Sequence, residues 1–345
     1  MKPNIGAILA VLLTAVVLVP SIASAHSPLG AGDNESLATA TVVPEPTKSW
    51  AIYAQLHEGG EAQYYTFDML AGQRIYVQLF TSTAAEDANF TPSMALMGPG
   101  ITRNETVPAY VEMPAGAGKV VLAGVRPAQA TYEAFAPSSF VQLALVSMDA
   151  PANGTFVVAV FDESRGGHYG LAIGERESFT ASSWVLMPFD LLNVYTWERQ
   201  DLALVLAPAI AVMAAGIGLL AWRQRKGVRM ALPAWAGAIA GLSFLASGAT
   251  VLGQMLLSMS RAPAGGEALI TAVFVSLPIV LGLVTLRTTL RRGKAWTVRS
   301  RATLIVLGAL AVVLWSGWIV GPIIAIVAAV LPAKATVESE QTATA

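Results

Sequence analysis

The sequence contains no cysteine, so no disulfide can stabilise any part of it. Small exported domains often depend on such bridges, and a domain without them must bury an adequate apolar core. The polar part of the chain, residues 26–201, is long enough to form such a core. The absence also favours a prokaryotic cell surface over the disulfide-rich extracellular domains of vertebrates.

Charge is scarce as well, since 12% of the residues are charged and 54% are hydrophobic. Soluble domains carry about 25% charged residues, so the composition predicts a membrane protein. Four apolar runs contain no Asp, Glu, Lys, Arg or His: residues 202–222, 231–257, 268–286 and 302–331. Each is long enough to cross a hydrocarbon core of about 30 Å. Pumps and proton-coupled carriers need ionisable groups inside the membrane, so the runs predict an all-α four-helix transmembrane bundle that serves as an anchor.

Basic residues are concentrated in two short loops between these runs. Loops 223–230 and 287–301 hold ten Lys and Arg residues, whereas the opposite side holds only Arg261 and Lys334. The positive-inside rule therefore predicts that both loops are cytoplasmic, and that the N-terminal domain and the tail 332–345 lie outside the plasma membrane. The exported part is acidic, with 19 Asp and Glu against 8 Lys and Arg in residues 26–202, which argues against a nucleic-acid partner.

Residues 1–25 have the pattern of a secretory signal peptide. Lys2 precedes the apolar stretch 5–19, and Ala23-Ser24-Ala25 fits a cleavage site. Cleavage there makes His26 the new N-terminus; the alternative is an uncleaved anchor helix.

Four Asn-x-Ser/Thr sequons begin at Asn34, Asn89, Asn104 and Asn153. The chain has six asparagines, and all four sequons fall between the signal peptide and the first apolar run. This confinement predicts a glycosylated exported domain, with Asn34 the least secure site because it lies in a polar lead-in, residues 26–48. Sequons together with the missing cysteine favour an archaeal surface.

Period-two alternation begins at Ser49 and predicts short strands bounded by Gly, Pro, Asn and Asp. We expect eight strands, at 50–57, 63–68, 74–81, 93–97, 119–125, 140–147, 155–161 and 169–174. Many short antiparallel strands at this spacing predict an all-β, jelly-roll-like sandwich over residues 49–176. Residues 26–48 are rich in small residues, Pro and Gly, which predicts a flexible lead-in.

Several motifs in this region resemble a known family. Leu56-x-x-Gly59-Gly60, Gln63-Tyr-Tyr-Thr-Phe67 and Ile75-Tyr-Val-Gln-Leu79 are similar to the first half of bacterial pre-peptidase C-terminal domains. Gly154-Thr-Phe-Val-Val-Ala-Val160 and Gly167-His-Tyr-Gly-Leu-Ala-Ile173 are similar to the second half. The resemblance covers roughly residues 50–175 and leaves residues 101–136 unexplained. It implies a jelly-roll accessory module for binding or stabilisation. The whole arrangement also resembles membrane proteins of prokaryotes, archaea above all, which implies no activity.

An aromatic connector, residues 177–201, follows this domain. Ser178 and Thr180 are candidate N-caps of a short helix. The aromatic residues Trp184, Phe189, Tyr195 and Trp197 have two interpretations: an interfacial collar on the outer leaflet, or packing against the β domain.

The chain has three histidines, His26, His57 and His168, all in the exported part. An N-terminal His26 offers an amine and an imidazole to copper, and a second histidine could complete the site. The alternative is that scattered histidines have no shared role. No catalytic motif is present. The sequence therefore predicts a surface binding or scaffold protein, not an enzyme, that contacts the lipid bilayer and recognises a glycan, a peptide or a membrane subunit. Copper handling through His26 is the alternative.

Overall fold

The computed structural model describes residues 26–178, 180–290 and 296–332. The predicted signal peptide and almost all of the predicted external tail lie outside these residues. The described chain forms two compact units. One unit comprises residues 26–205 and 253–271, and the other comprises residues 206–252 and 272–332.

The first unit contains two β-sheets of six and five strands. The six-stranded sheet has the order β1-β3-β11-β5-β9-β8, and the five-stranded sheet has the order β2-β4-β10-β6-β7. The strands are β1 Ser27–Leu29, β2 Thr41–Val42, β3 Trp50–Leu56, β4 Glu61–Met69, β5 Arg74–Ser82, β6 Ser93–Gly98, β7 Gly118–Leu122, β8 Thr131–Glu133, β9 Ser138–Asp149, β10 Gly154–Asp162 and β11 Gly167–Ile173. All eight predicted strands are present, with ends that shift by at most three residues. We call residues 27–173 the β domain.

One apolar core takes alternate residues from both sheets. Ile52 and Leu171 come from the six-stranded sheet, Phe67 and Val158 come from the five-stranded sheet, and all four belong to one buried cluster. The core also contains a polar pair that links the sheets, because the Tyr65 and Tyr169 hydroxyl oxygens are 2.6 Å apart. The Tyr169 hydroxyl donates to Gln63 Oε1 at 2.6 Å. Buried hydroxyls require such partners.

The lead-in differs from the prediction. Residues 26–48 are not a flexible segment: β1 pairs in parallel with β3, and β2 pairs in parallel with β4. Each pairs with a strand that would otherwise form the edge of its sheet and leave N–H and C=O groups unpaired. Between them Asn34 is buried, and its carbonyl accepts from Tyr64 N at 2.8 Å. Strands of two or three residues show too little alternation to be predicted.

Four helices follow the β domain: α1 Ala181–Trp197, α2 Leu202–Arg225, α3 Leu232–Arg261 and α4 Ala268–Thr289. Helix α1 begins with a capping box, in which the Thr180 hydroxyl accepts from Ser183 N at 3.1 Å. This confirms Thr180 as the N-cap. Helices α2, α3 and α4 have the length and composition of membrane spans, which confirms three of the four predicted spans and makes this a membrane protein.

The fourth predicted span is not one helix. Residues 302–331 fall in two helices, α5 Val298–Val313 and α6 Val320–Val330, which pack against each other as an antiparallel hairpin. Leu304 near the start of α5 packs with Ala328 and Ala329 near the end of α6, and the Arg301 guanidinium donates to the Ala329 carbonyl. With 16 and 11 residues, the helices are about 24 Å and 17 Å long, too short for a 30 Å core.

The turn of this hairpin is buried against the middle of α3. Gly317 N donates to Ser247 Oγ at 2.6 Å, and a Cβ at Gly317 would lie 2.7 Å from the Phe244 ring. Trp315, Gly317 and Trp318 have positive φ angles of 52°, 75° and 48°. This backbone reverses the chain, so the apolar run returns toward its starting side. Non-helical backbone at membrane depth requires such cover from neighbouring helices.

The hairpin predicts the side on which the described chain ends. Val298 and Val330 should lie on the same side of the membrane as loop 226–230, because Ala236 at the start of α3 packs in the cluster of Leu304 and Ala328. The chain has no native cysteine, so single variants Arg229→Cys, Val298→Cys and Val330→Cys can be labelled with an impermeant maleimide in sealed vesicles. We expect the three to react from the same side. Opposite labelling of Val298→Cys and Val330→Cys would restore the single span.

Candidate functional site

A pocket of about 120 Å³ lies on the outer face of the six-stranded sheet, between the sheet and α1. The outward-facing residues of β3, β5 and β11 at this place are mostly apolar, among them Tyr53, Phe80 and Ala172, and they include the polar Gln78. An outer face of this composition must be covered, and α1 supplies Met187, Val194 and Trp197 from above. The sheet is therefore buried on both faces, and the covering leaves a cavity.

Trp197 fixes the end of α1 on the sheet. Its indole N–H points to the Ala54 carbonyl at 3.2 Å and the Tyr169 carbonyl at 3.0 Å. Its ring meets Tyr53 and Phe80 edge-on, with centroid distances of 5.1 Å and 5.7 Å. A Cβ at Gly170 would lie 2.2 Å from the Phe80 ring, so only glycine leaves room for this packing.

The other three aromatic residues of the connector bear on its two interpretations, an interfacial collar or packing against the β domain. Tyr195 is buried like Trp197, and the Trp184 ring lies 6.5 Å from that of Phe135 of the β domain. Phe189 is 43% exposed. Packing against the β domain therefore accounts for three of the four aromatic residues.

A buried carboxylate holds the segment after α1. Asp87 is fully buried and receives the Arg199 guanidinium through Nε and Nη2, both at 3.2 Å. The Ser82 hydroxyl and His168 N also donate to it. Burial alone would raise the pKa of Asp87, but these hydrogen bonds and the Arg199 charge together hold it below its ordinary value. Asp87 is therefore an ionised structural anchor.

Three other carboxyl groups line the pocket. Burial raises the pKa of Glu133 from 4.5 to about 7. Hydrogen bonds from Phe135 N and Ala134 N lower this pKa, and the charge of Glu177 raises it further. Burial raises the pKa of Glu198 to about 6, although it accepts from Ser139 N and Gln200 Nε2.

The third carboxyl group, Asp190, has its pKa raised by burial. Burial likewise raises the pKa of Tyr53, and the nearby Glu133 and Glu198 raise it further. Within the described residues, none of the three acids is in a salt bridge with Lys, Arg or His. The pocket thus combines aromatic walls with carboxyl groups that lack a cationic partner at contact distance.

The predicted histidines do not converge. His26 lies at the pocket and bonds to the Ser49 hydroxyl, and burial lowers its pKa. His57 lies just beyond the other end of β3. It is eight residues from Ser49, the partner of His26, which corresponds to about 26 Å along an extended strand. His168 Nδ1 is 2.6 Å from the Trp197 carbonyl, which makes it a structural donor. The structure therefore brings no second histidine to His26.

One group in the described chain has metal-ligand spacing: Glu35, His57 and Glu61, with ligand atoms within 4.8 Å of one another. His57 Nδ1 is 3.3 Å from Glu61 Oε1. The same Glu61 carboxylate accepts from His57 N, Glu58 N and Gln63 Nε2. Since these bonds position Glu61 already, the group is explained as a turn clamp, and a metal is not needed to hold it together.

The sequons differ in access. Asn89, Asn104 and Asn153 are exposed. In the latter two, Lys119 Nζ and Ala71 N donate to Oδ1 and leave Nδ2 available. Asn34 is 2% exposed, and its Nδ2 is buried. A glycan at Asn34 therefore requires the lead-in to be open when the glycan is attached.

Sequence reasoning missed the three pocket acids. Glu133 lies in the segment that the family motifs leave unexplained, and Asp190 and Glu198 lie in the connector. The sequence feature that indicates a buried acid is an acid flanked by apolar residues, as in Phe189-Asp190-Leu191. That signal does not show that the three acids meet.

No family model and no curated protein matches this chain. Among solved structures, the chain is similar to the pre-peptidase C-terminal domain of a collagenase from Bacillus anthracis. The identity is 12%, the TM-score is 0.21, and the match covers 43% of this chain and 93% of that chain. The neighbour belongs to the family that the strand motifs resemble. At this TM-score it supports no argument about what the chain binds.

Glu133 predicts a pH dependence of stability. Because its folded pKa is raised, the folded state keeps a proton that the unfolded state releases, so the contribution of Glu133 to stability is most favourable below about pH 4.5 and is lost as pH rises through 7. Glu133→Gln should remove this loss and stabilise the protein above pH 7 by about 1–3 kcal/mol relative to wild type. Unfolding measured from pH 5 to 8 tests this, with the exposed Glu58→Gln as control. Parallel curves for wild type and Glu133→Gln would contradict it.

Replacement of Arg199 should cause a large loss of stability, for a different reason. Arg199→Ala leaves the Asp87 carboxylate buried without its cation, which should cost about 3–5 kcal/mol. The control is Arg74→Ala, whose pair with Asp149 is exposed and should contribute below about 1 kcal/mol. Denaturant unfolding followed by tryptophan fluorescence measures both. Equal losses in the two variants would show that Asp87 does not anchor the segment.

Proposed function

We propose that this chain is a membrane-anchored surface protein that binds a ligand through its β domain, in the pocket beneath α1. In this proposal the β domain is a jelly-roll-like sandwich outside the plasma membrane of a prokaryotic, archaeal cell, exported by the signal peptide at residues 1–25. Helices α2, α3 and α4 and the α5–α6 hairpin form the membrane part. The hairpin supports a cytoplasmic position for the C-terminal end of the described chain, on the side of the basic loops.

The observation that carries this proposal is the pocket itself. Its walls are mostly apolar, and three carboxyl groups without a salt-bridge partner in the described chain point to a ligand that supplies one. Perturbed acids in a concave apolar site are typical of functional sites. The volume of about 120 Å³ fits one side chain or a small molecule and is too small for an oligosaccharide. Among the expected partners, a peptide side chain or a small ligand is therefore favoured over a glycan.

A pocket-filling variant tests the proposal. Ala136 lines the pocket, so Ala136→Phe should block it, whereas Ala115→Phe places the same ring on an exposed loop. Full-length protein in nanodiscs is screened by thermal shift against small molecules, peptides and glycans. We expect ligands that stabilise wild type and Ala115→Phe but not Ala136→Phe. A screen without any such ligand would contradict the proposal.

The proposed exposure of the β domain outside the cell also predicts its glycans. We expect modification at Asn89, Asn104 and Asn153, and none at Asn34, because only the first three present Nδ2 to solvent. Peptide mapping by mass spectrometry of protein from its native source checks each site. Modified Asn34 would show that the lead-in opens before glycosylation, and unmodified sites throughout would remove the argument from the sequons.

A further inference from the structure

We propose that the pocket beneath α1 binds an alkylated ammonium group, such as the trimethylammonium head of choline. This inference rests on the proposed function, because it names the ligand class of that same pocket. Its three supports are the aromatic walls, the carboxyl groups and the size of the cavity.

The walls of the cavity are largely aromatic, which suits a diffuse cation. Tyr53, Phe80, Phe140 and Trp197 all line the cavity and pack against one another as one cluster. Aromatic rings attract alkylammonium groups through the negative potential of their faces, and several rings around one cavity are the usual solution for quaternary ammonium. Methyl groups also gain from contact with the same apolar surface. A hydrated inorganic cation would gain nothing from these walls.

Three carboxyl groups and one histidine, His26, line the pocket, and burial lowers the pKa of His26, so the side-chain charge of the pocket is negative. Glu133, Glu198 and Asp190 line it, and the two glutamates lie close enough to Tyr53 to affect its ionisation. Glu198 is only 2% exposed, and the charge of Arg261 reaches it without forming a salt bridge in the described chain. A buried carboxylate without a cation is costly, and the cost falls when a cationic ligand enters. Binding therefore removes a penalty that the empty pocket carries.

Geometry separates this ligand from a metal ion. The group with ligand atoms within 4.8 Å of one another is Glu35, His57 and Glu61, and it does not include the pocket acids. In the described chain, the ligand atoms of the three pocket acids therefore do not all lie within 4.8 Å of one another, which a shared metal ion would require. A cavity of ~150 Å³ holds benzene, so about 120 Å³ fits a trimethylammonium head and leaves the rest of the ligand outside.

Binding should also move protons. The pKa of Glu133 is raised to about 7 and that of Glu198 to about 6, so both are partly protonated near neutral pH. An ammonium group favours the carboxylate form and releases these protons. Affinity should therefore rise between pH 5 and pH 8.

The experiment compares choline with 3,3-dimethyl-1-butanol, its uncharged isostere, by calorimetry on full-length wild-type protein in choline-free nanodiscs. We expect choline to bind at least tenfold more tightly and to release protons, seen as a heat that depends on the ionisation enthalpy of the buffer. This comparison needs no variant, so it remains decisive if a variant fails to fold. Equal affinity for the two compounds would overturn the inference.

Variants assign the effect to the pocket. Glu198→Gln and Glu133→Gln should each weaken choline at least tenfold, whereas Glu58→Gln on an exposed turn should leave it unchanged. Phosphocholine and a trimethyllysine peptide, run in parallel, distinguish a headgroup source from a protein source. If choline fails while an uncharged compound binds wild type and not Ala136→Phe, the ammonium inference is wrong and the proposed function stands. If nothing binds, both are wrong.

Discussion

The ion pair between Asp87 and Arg199 is the contact on which the site depends. Asp87 lies in a short turn after β5, and Arg199 lies beyond the end of α1, 112 residues away. Their bond, together with the backbone N–H of His168, holds the end of α1 against β11. Trp197 is two residues before Arg199, and its bonds to the Ala54 and Tyr169 carbonyls require that end to be held. The helix that closes the pocket therefore depends on a carboxylate outside the pocket.

The pocket acids differ from Asp87 in what burial does to them. The Asp87 carboxylate accepts hydrogen bonds from an arginine, a hydroxyl and a backbone amide, so it is ionised and stabilises the fold. Glu133 and Glu198 are supplied mainly with backbone and amide donors, and burial dominates their ionisation. The fold thus holds one fully compensated acid that fixes the architecture and two incompletely compensated acids beside a cavity. Such a contrast within one domain distinguishes the structural acid from the perturbed acids of the proposed binding site.

Sequence patterns predicted the elements whose periodicity is long enough to read. Eight strands followed from alternation, and three spans followed from uncharged length. The strands β1, β2 and β8 are too short to alternate, so the lead-in looked flexible. The α5–α6 hairpin was missed because hydropathy measures apolar length and cannot detect a reversal of direction. The signal was Trp315-Ser-Gly-Trp318 in the middle of the run. Glu133, Asp190 and Glu198 come from three separate segments, and only tertiary packing brings them to one cavity.

The position of Trp197 on the sheet has a practical consequence for making this domain in soluble form. The motifs end near residue 175, and a fragment cut there would lack α1. It would present Tyr53, Phe80 and Phe140 to water as one apolar patch, and patches of this kind drive association. It would also leave Asp87 without Arg199. A recombinant domain should therefore extend at least through Gln200, before α2 begins, and it still lacks residues 253–271 of the same unit, which cover Tyr132 and Ala134.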